Sequence, residues 1–119
     1  MYWFSKPKKP VEKTAQDFYA YKALVKTEWW LSSCDPSPDL LWARLRVFSD
    51  GTADAAFDST HSYGFDSETY AMYYLSEDEY IRLTTLDEED EIELNVQASQ
   101  LVPPIWPDKS DSFQYIGKY

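Results

Sequence analysis

Hydrophobic and polar residues alternate from Leu41 to Phe48, and this period of two predicts a β-strand with two different faces. One face is aliphatic and carries Leu41, Ala43, Leu45 and Val47. The opposite face is aromatic and basic and carries Trp42, Arg44, Arg46 and Phe48. We expect the aliphatic face to lie against the core.

The turn that follows this strand can be predicted by testing the possible pairing registers. A two-residue Asp-Gly turn would place Val47 opposite Asp54, which sets an apolar side chain against a charged one. A three-residue turn pairs Val47 with Ala53 and Arg46 with Asp54, so that both faces are consistent. We therefore predict a type I turn with Gly51 in a left-handed bulge.

Two helices are predicted from capping signals and helical spacing. The first covers residues 11–21 and follows Pro10, which is tolerated in a first helical turn. The second runs to about Leu75 and begins near Phe65, where Asp66 or Ser67 can cap the free backbone N–H groups.

Further strands are predicted at residues 27–32 and 92–96, where apolar and polar positions alternate again. A turn after the second helix and then a strand at residues 80–86 are predicted, because β-branched and aromatic residues such as Ile81, Thr84 and Tyr80 prefer strands. A continuing helix is the alternative for this segment. Proline and polar residues predict a loop at residues 34–39 and a polar connection at residues 59–64.

Together these elements predict an α+β fold, an antiparallel β-meander of three to five strands with one or two helices packed on one face. The 119 residues are enough for a single domain. Residues 1–10 are expected to form a loose N-terminal arm. Residues 97–119 are expected to form an irregular tail that packs back on the domain, since they combine three prolines with large apolar side chains.

Charge changes the picture of the surface. The net charge is −10, and residues 50–94 carry fourteen acidic side chains but a single basic one, Arg82. Nucleic-acid binding requires clustered Lys and Arg, so we expect no nucleic-acid partner. The chain has no apolar run of the roughly 20 residues that span a bilayer and no secretory signal near Met1. These features predict a soluble cytoplasmic protein with no membrane partner, either a monomer or a small homodimer.

Residues with catalytic potential are few. Cys34 and His61 are the only residues of their types, and neither lies in a sequence motif that would support nucleophilic chemistry. The acidic run Asp87 to Glu91 has the oxygen ligands that Ca²⁺ prefers, but it lacks the alternation and the glycine of a calcium loop. We therefore expect no catalytic residues, no metal site and no cofactor, and we interpret the acidic run as a solvated loop.

A protein-binding surface is the better hypothesis. Acidic residues on the predicted hairpin and after the second helix form the candidate surface: Asp50, Asp54, Asp58, Glu77, Asp78 and Glu79. Such a surface favours encounter with a basic protein, and plain solubility is the alternative.

The aromatic and basic face of the central strand is a second candidate, because Arg and aromatic residues are frequent in interfaces. Its members are Trp42, Arg44, Arg46 and Phe48. The alternative is that the first helix or the tail covers this face, with the arginines paired to Asp54 and nearby acids.

The function predicted from these features is that of a small acidic non-enzymatic protein-binding accessory or regulatory domain. The alternative is an acidic immunity or inhibitor protein that acts on a basic toxin or nuclease. An enzyme of unknown type is third.

Overall fold

The protein is described here by a computed structural model, which covers residues 13–33 and 39–119. The α+β class is confirmed. A six-stranded sheet has the order β5-β1-β2-β3-β4-β6. Its strands are β1 (Leu24–Ser33), β2 (Leu40–Phe48), β3 (Ala53–Ala56), β4 (His61–Phe65), β5 (Ile81–Arg82) and β6 (Ser112–Gly117). The helices are α1 (Ala15–Tyr19), α2 (Glu68–Glu77) and α3 (Glu88–Leu94), and short 3-10 turns occur at Leu83–Thr85 and Ala98–Gln100.

The β2–β3 hairpin has the predicted register, with Val47 opposite Ala53 and Arg46 opposite Asp54. The N–H of Gly51 donates to the carbonyl of Phe48 over 3.0 Å, and this bond closes the turn. Gly51 has φ +88°, a left-handed conformation that glycine adopts without a steric penalty. The predicted three-residue turn with a bulged glycine is confirmed.

Helix α2 packs on the aliphatic face of the sheet. Ser67 caps the helix, since its side chain accepts a hydrogen bond from the N–H of Tyr70. Ala71 and Leu75 are buried against the sheet. The core between these two layers contains Trp30, Ala43, Leu45, Ala53, Ala55, Phe65, Ala71 and Leu75.

The opposite face of the sheet is also covered, which corrects the expectation that helices lie on one face only. Phe18 of α1 packs against Phe48 of β2 and Phe113 of β6, with ring centroids 6.2 and 5.1 Å apart. A Cβ added at Gly64 would lie 2.6 Å from Phe113 and 2.8 Å from Phe18. Glycine in β4 therefore lets both rings approach the sheet.

Two strands replace segments that were predicted to be irregular. The polar connection 59–64 contains most of β4, so the prediction was wrong there. The tail was predicted to be irregular, but its end forms β6, which pairs with β4. Strands β1 to β4 form an antiparallel meander, whereas β6 pairs with β4 in parallel. Residues 80–86 form the two-residue strand β5 and then a 3-10 turn, so the predicted strand is much shorter than expected.

Residues 88–94 form a helix, capped by Asp87, and not the predicted acidic loop and strand. The side chain of Asp87 accepts from the N–H of Asp90, and the side chain of Asp90 accepts from the N–H of Asp87. This reciprocal capping box starts α3, and the acidic first turn is stabilised by the positive end of the helix dipole. Leu94 is buried, and the helix ends at Asn95 in a left-handed conformation.

Some predictions lie outside the described residues: the N-terminal arm 1–10, the start of the first helix and most of the loop 34–39. Within the described part of the chain, no helix is long and apolar enough to cross a membrane.

Candidate functional site

Asp54 lies in the interior and not on the acidic surface that the sequence predicts. Its side chain is fully buried. It accepts hydrogen bonds from Arg46 Nε over 3.1 Å and from Arg46 Nη2 over 2.5 Å. The hydroxyl of Tyr19 donates to the same carboxylate over 2.5 Å. Helix α1 covers this pair, which cross-strand pairing alone does not reveal, and so Asp54 is not available to a partner in this fold.

The pKa values within this network reflect its enclosure. Burial raises the pKa of Tyr19 above its ordinary value, and the adjacent Asp54 carboxylate raises it further. Burial opposes the charge of Arg46, but the hydrogen bonds from its guanidinium to Asp54 leave its pKa above the usual value. The positive charge of Arg46 and the negative charge of Asp54 therefore neutralise each other inside the protein.

The remaining residues of the aromatic and basic face are covered to different degrees. Arg44 and Phe48 are buried, and Arg44 Nη1 donates to the carbonyl of Pro107 over 3.1 Å. Trp42 is half-buried, and its ring packs edge-on against Trp29, with centroids 6.1 Å apart. This burial favours the alternative in which α1 and the tail cover the face.

The acidic residues that remain at the surface of the hairpin lie at opposite ends of β3. Asp50, in the turn before β3, accepts from the N–H of Thr52 and is 3.4 Å from Lys22 Nζ. Asp58, after β3, accepts from the N–H groups of Thr60 and His61. Partial burial acts in the opposite direction, but these hydrogen bonds lower the pKa of Asp58 to about 2. Both carboxylates therefore stabilise turns.

Glu77 is the last residue of α2, Asp78 and Glu79 follow it, and all three are exposed. The hydroxyl of Tyr119 donates to Glu77. Tyr80, which follows these acids, packs against Phe57 with ring centroids 5.3 Å apart. The structure therefore places Glu77 to Glu79 at the same end of the sheet as Asp58, while Asp50 lies at the other end.

A stronger candidate surface lies around α3, which sequence reasoning missed. Ile92 is 80% exposed although it lies in a helix. It follows Glu88 and Glu89 by one helical turn, so carboxylates flank the exposed aliphatic side chain. The reciprocal pair Asp87 and Asp90 was the signal that could have revealed this helix.

An open groove of about 900 Å³ runs beside α3. Its lining is partly acidic, partly amide and partly aliphatic: Glu88, Glu91, Ile92, Asn95, Val96, Gln97, Gln100 and Leu101. Glu91 Oε2 accepts from the N–H of Ala98 over 2.9 Å, and this bond ties the far wall of the groove to the helix. We call α3 together with this groove the α3 surface. It combines aliphatic contact area with negative charge, which suits a basic polypeptide segment that carries an apolar side chain.

Chemistry-bearing residues elsewhere are dispersed. His61 Nδ1 lies 3.2 Å from Asp58, at the exposed end of β4, and Cys34 lies outside the described residues. Within residues 13–33 and 39–119, no group of three or more His, Cys, Asp and Glu is arranged to hold a metal ion.

Comparison of the chain with protein-family models, with curated proteins and with solved structures finds no match.

Proposed function

We propose that this protein is a non-enzymatic protein-binding domain that binds a basic partner through the α3 surface. The observation that carries the proposal is the exposure of Ile92 between carboxylates, at the edge of an open groove. Leu94 is the one buried side chain of α3, and Asp90 and Glu91 are half-buried. The other side chains of the helix are exposed: Glu88, Glu89, Ile92 and Glu93.

The two components of this surface have different roles in binding. Burial of an exposed aliphatic side chain such as Ile92 contributes about 1.5–3 kcal/mol, which favours a long-lived contact. The carboxylates of Glu88 and Glu91 attract a basic segment and orient it, and salt weakens this contribution. The net charge of −10 acts in the same direction over longer distances.

The alternative function, inhibition of a basic toxin or nuclease, is a narrower form of this proposal. An inhibitor would use the same acidic and aliphatic contacts, and it would also have to cover its target's active site. Loss of the target's activity on binding separates the inhibitor from an accessory domain.

A matched pair of double variants tests the α3 surface. Glu88→Gln with Ile92→Ser removes one carboxylate and one exposed apolar side chain from it. Glu79→Gln with Tyr73→Ser makes the same kind of change near the end of α2, where Tyr73 is 56% exposed. The probe is a fluorescent peptide that alternates lysine and leucine, and binding is measured by anisotropy at low and high salt.

We expect the α3 variant to bind the peptide about tenfold more weakly, which corresponds to about 1.4 kcal/mol. The control variant should bind within about twofold of the original protein, because it leaves the α3 surface intact and, like the α3 variant, removes a single exposed carboxylate. Equal losses in both variants would show that only overall acidity matters, and this would refute the proposal. Circular dichroism of each variant checks that the helices remain.

A further inference from the structure

A straight segment rich in proline, residues 101–107, leaves the 3-10 turn Ala98–Gln100 and leads towards β6. We call it the proline segment, and it forms no helix, strand, turn or bend. Its prolines are Pro103, Pro104 and Pro107. Proline fixes φ at about −65°, and the residue before a proline is restricted to extended conformations. These restrictions apply to every residue from 102 to 107 except Ile105, and they favour a polyproline II helix with about three residues per turn.

The exposed apolar side chains of the proline segment recur with the same period of three. Val102 is 82% exposed, and Ile105 is fully exposed. In a polyproline II helix, residues three apart share a ridge and lie about 9 Å from each other along the axis. Trp106 belongs to a different ridge and packs against Trp29 of β1, with ring centroids 5.0 Å apart. The segment therefore presents Val102 and Ile105 to solvent while Trp106 holds it on the sheet.

Both ends of the proline segment are fixed to the rest of the domain. At its start, the N–H of Leu101 donates to the carbonyl of Ala98 over 3.2 Å. At its end, the carbonyl of Pro107 accepts from Nη1 of Arg44, a buried residue of β2, over 3.1 Å. A partner would therefore meet a segment that is already ordered, and binding would not have to fix its backbone.

We propose that the proline segment docks into the groove of a partner domain that binds PxxP sequences. Pro104 and Pro107 have the PxxP spacing, and they share a ridge next to that of Val102 and Ile105. Domains of this kind bind a preformed polyproline II helix in a groove lined by aromatic side chains. Since the ridge of Trp106 packs on the sheet, the other two ridges supply the proline and aliphatic contacts to the groove.

This contact is chemically different from the one proposed for the α3 surface. The side chains that the proline segment offers are uncharged: Val102, Pro104, Ile105 and Pro107. Salt screens charged contacts and leaves apolar contacts largely unaffected, so binding through the proline segment should change little with salt. Binding of a basic peptide to the α3 surface should weaken as salt increases.

A panel of purified SH3 and WW domains, which bind proline-rich segments, tests the proposal on the intact protein by surface plasmon resonance. We expect at least one domain to bind. Ile105→Ser should weaken this binding about tenfold, because it removes the most exposed apolar contact. Pro104→Ala should weaken it about threefold, because it releases the φ restriction. Ile92→Ser makes the same substitution as Ile105→Ser at another exposed isoleucine, on α3, and should bind the domain as the original protein does.

The lysine-leucine peptide separates this proposal from that of the α3 surface. Ile105→Ser should bind the peptide as the original protein does, whereas the α3 double variant should lose peptide binding and keep domain binding. Equal urea midpoints for the variants and the original protein check that each of them folds.

Three results would overturn the proposal. The first is that no domain of the panel binds, and the second is that Ile105→Ser and Ile92→Ser weaken domain binding equally. The third is self-association in sedimentation equilibrium that Ile105→Ser abolishes while no domain binds, which would assign the proline segment to contact with a second copy of the chain.

Discussion

Removal of the Asp54 carboxylate should destabilise the protein more than removal of any exposed carboxylate. Asp54 accepts three hydrogen bonds, two from Arg46 and one from Tyr19, in a fully buried position. In the Asp54→Ala variant, the guanidinium of Arg46 would remain buried without its counter-ion. Breaking a buried pair in this way costs about 3–5 kcal/mol. A domain of this size has a total stability of about 6–18 kcal/mol.

Urea unfolding followed by tryptophan fluorescence measures this loss, with Asp111→Ala as the control at an exposed carboxylate. We expect a lower midpoint with an unchanged slope for Asp54→Ala and a change within about 0.5 kcal/mol for the control. Replacement of both partners, Arg46→Met with Asp54→Leu, should recover much of the loss, because no unpaired charge is left. A loss below about 1 kcal/mol in the single variant would refute the argument that the pair is desolvated.

Three other predictions concern separate parts of the fold. Gly64→Ala should cost about 1–3 kcal/mol in urea unfolding, because the added Cβ meets the ring of Phe113, and Phe113→Leu should relieve part of this loss. Stability should fall above about pH 10, where Tyr19 ionises in the unfolded chain but is held neutral by its raised pKa in the fold. Tyr19→Phe should reduce this fall in the free energy of unfolding with pH. If the free energy of the variant falls with pH as steeply as that of the original protein, the Tyr19 hydroxyl is not buried as described. Asp87→Ala should lower the free energy of unfolding by about 1 kcal/mol and reduce the helical circular dichroism signal, since it removes the capping box that starts α3. If the α3 amides of the variant are protected from hydrogen exchange as well as those of the original protein, this prediction is wrong.

The β2–β3 hairpin could be predicted from sequence because the residues that determine its register lie close together in the chain. Both faces of β2 had to match their partners on β3, and only one register satisfied Val47 and Arg46 together. The pairing of Arg46 with Asp54 followed from the same register. The burial of that pair did not follow, because it depends on Tyr19 and α1, which approach from a distant part of the chain.

Strand β4 was missed because its composition is polar at the positions that face α1. Ser62 and Gly64 are buried there, with Gly64 under the aromatic rings of Phe18 and Phe113, and a pattern of small residues on a covered face resembles a turn. Helix α3 was missed for a different reason. Ile92 and Leu94 fit the period of two of a strand, but residues two apart lie on different sides of a helix, so in α3 Leu94 is buried and Ile92 is exposed.

The position of β6 has a consequence for the order in which the protein folds. Strands β1 to β4 are joined by short connections, so their contacts close small loops and form early. After Phe65 the chain returns to the sheet twice, first as β5 beside β1 and then at Ser112, where β6 lies parallel to β4. These two pairings are the most non-local in the sheet, and β6 also completes the ring cluster on which Phe18 rests. Mutations in β6 should therefore accelerate unfolding and leave the folding rate nearly unchanged, whereas mutations in the β2–β3 hairpin should slow folding.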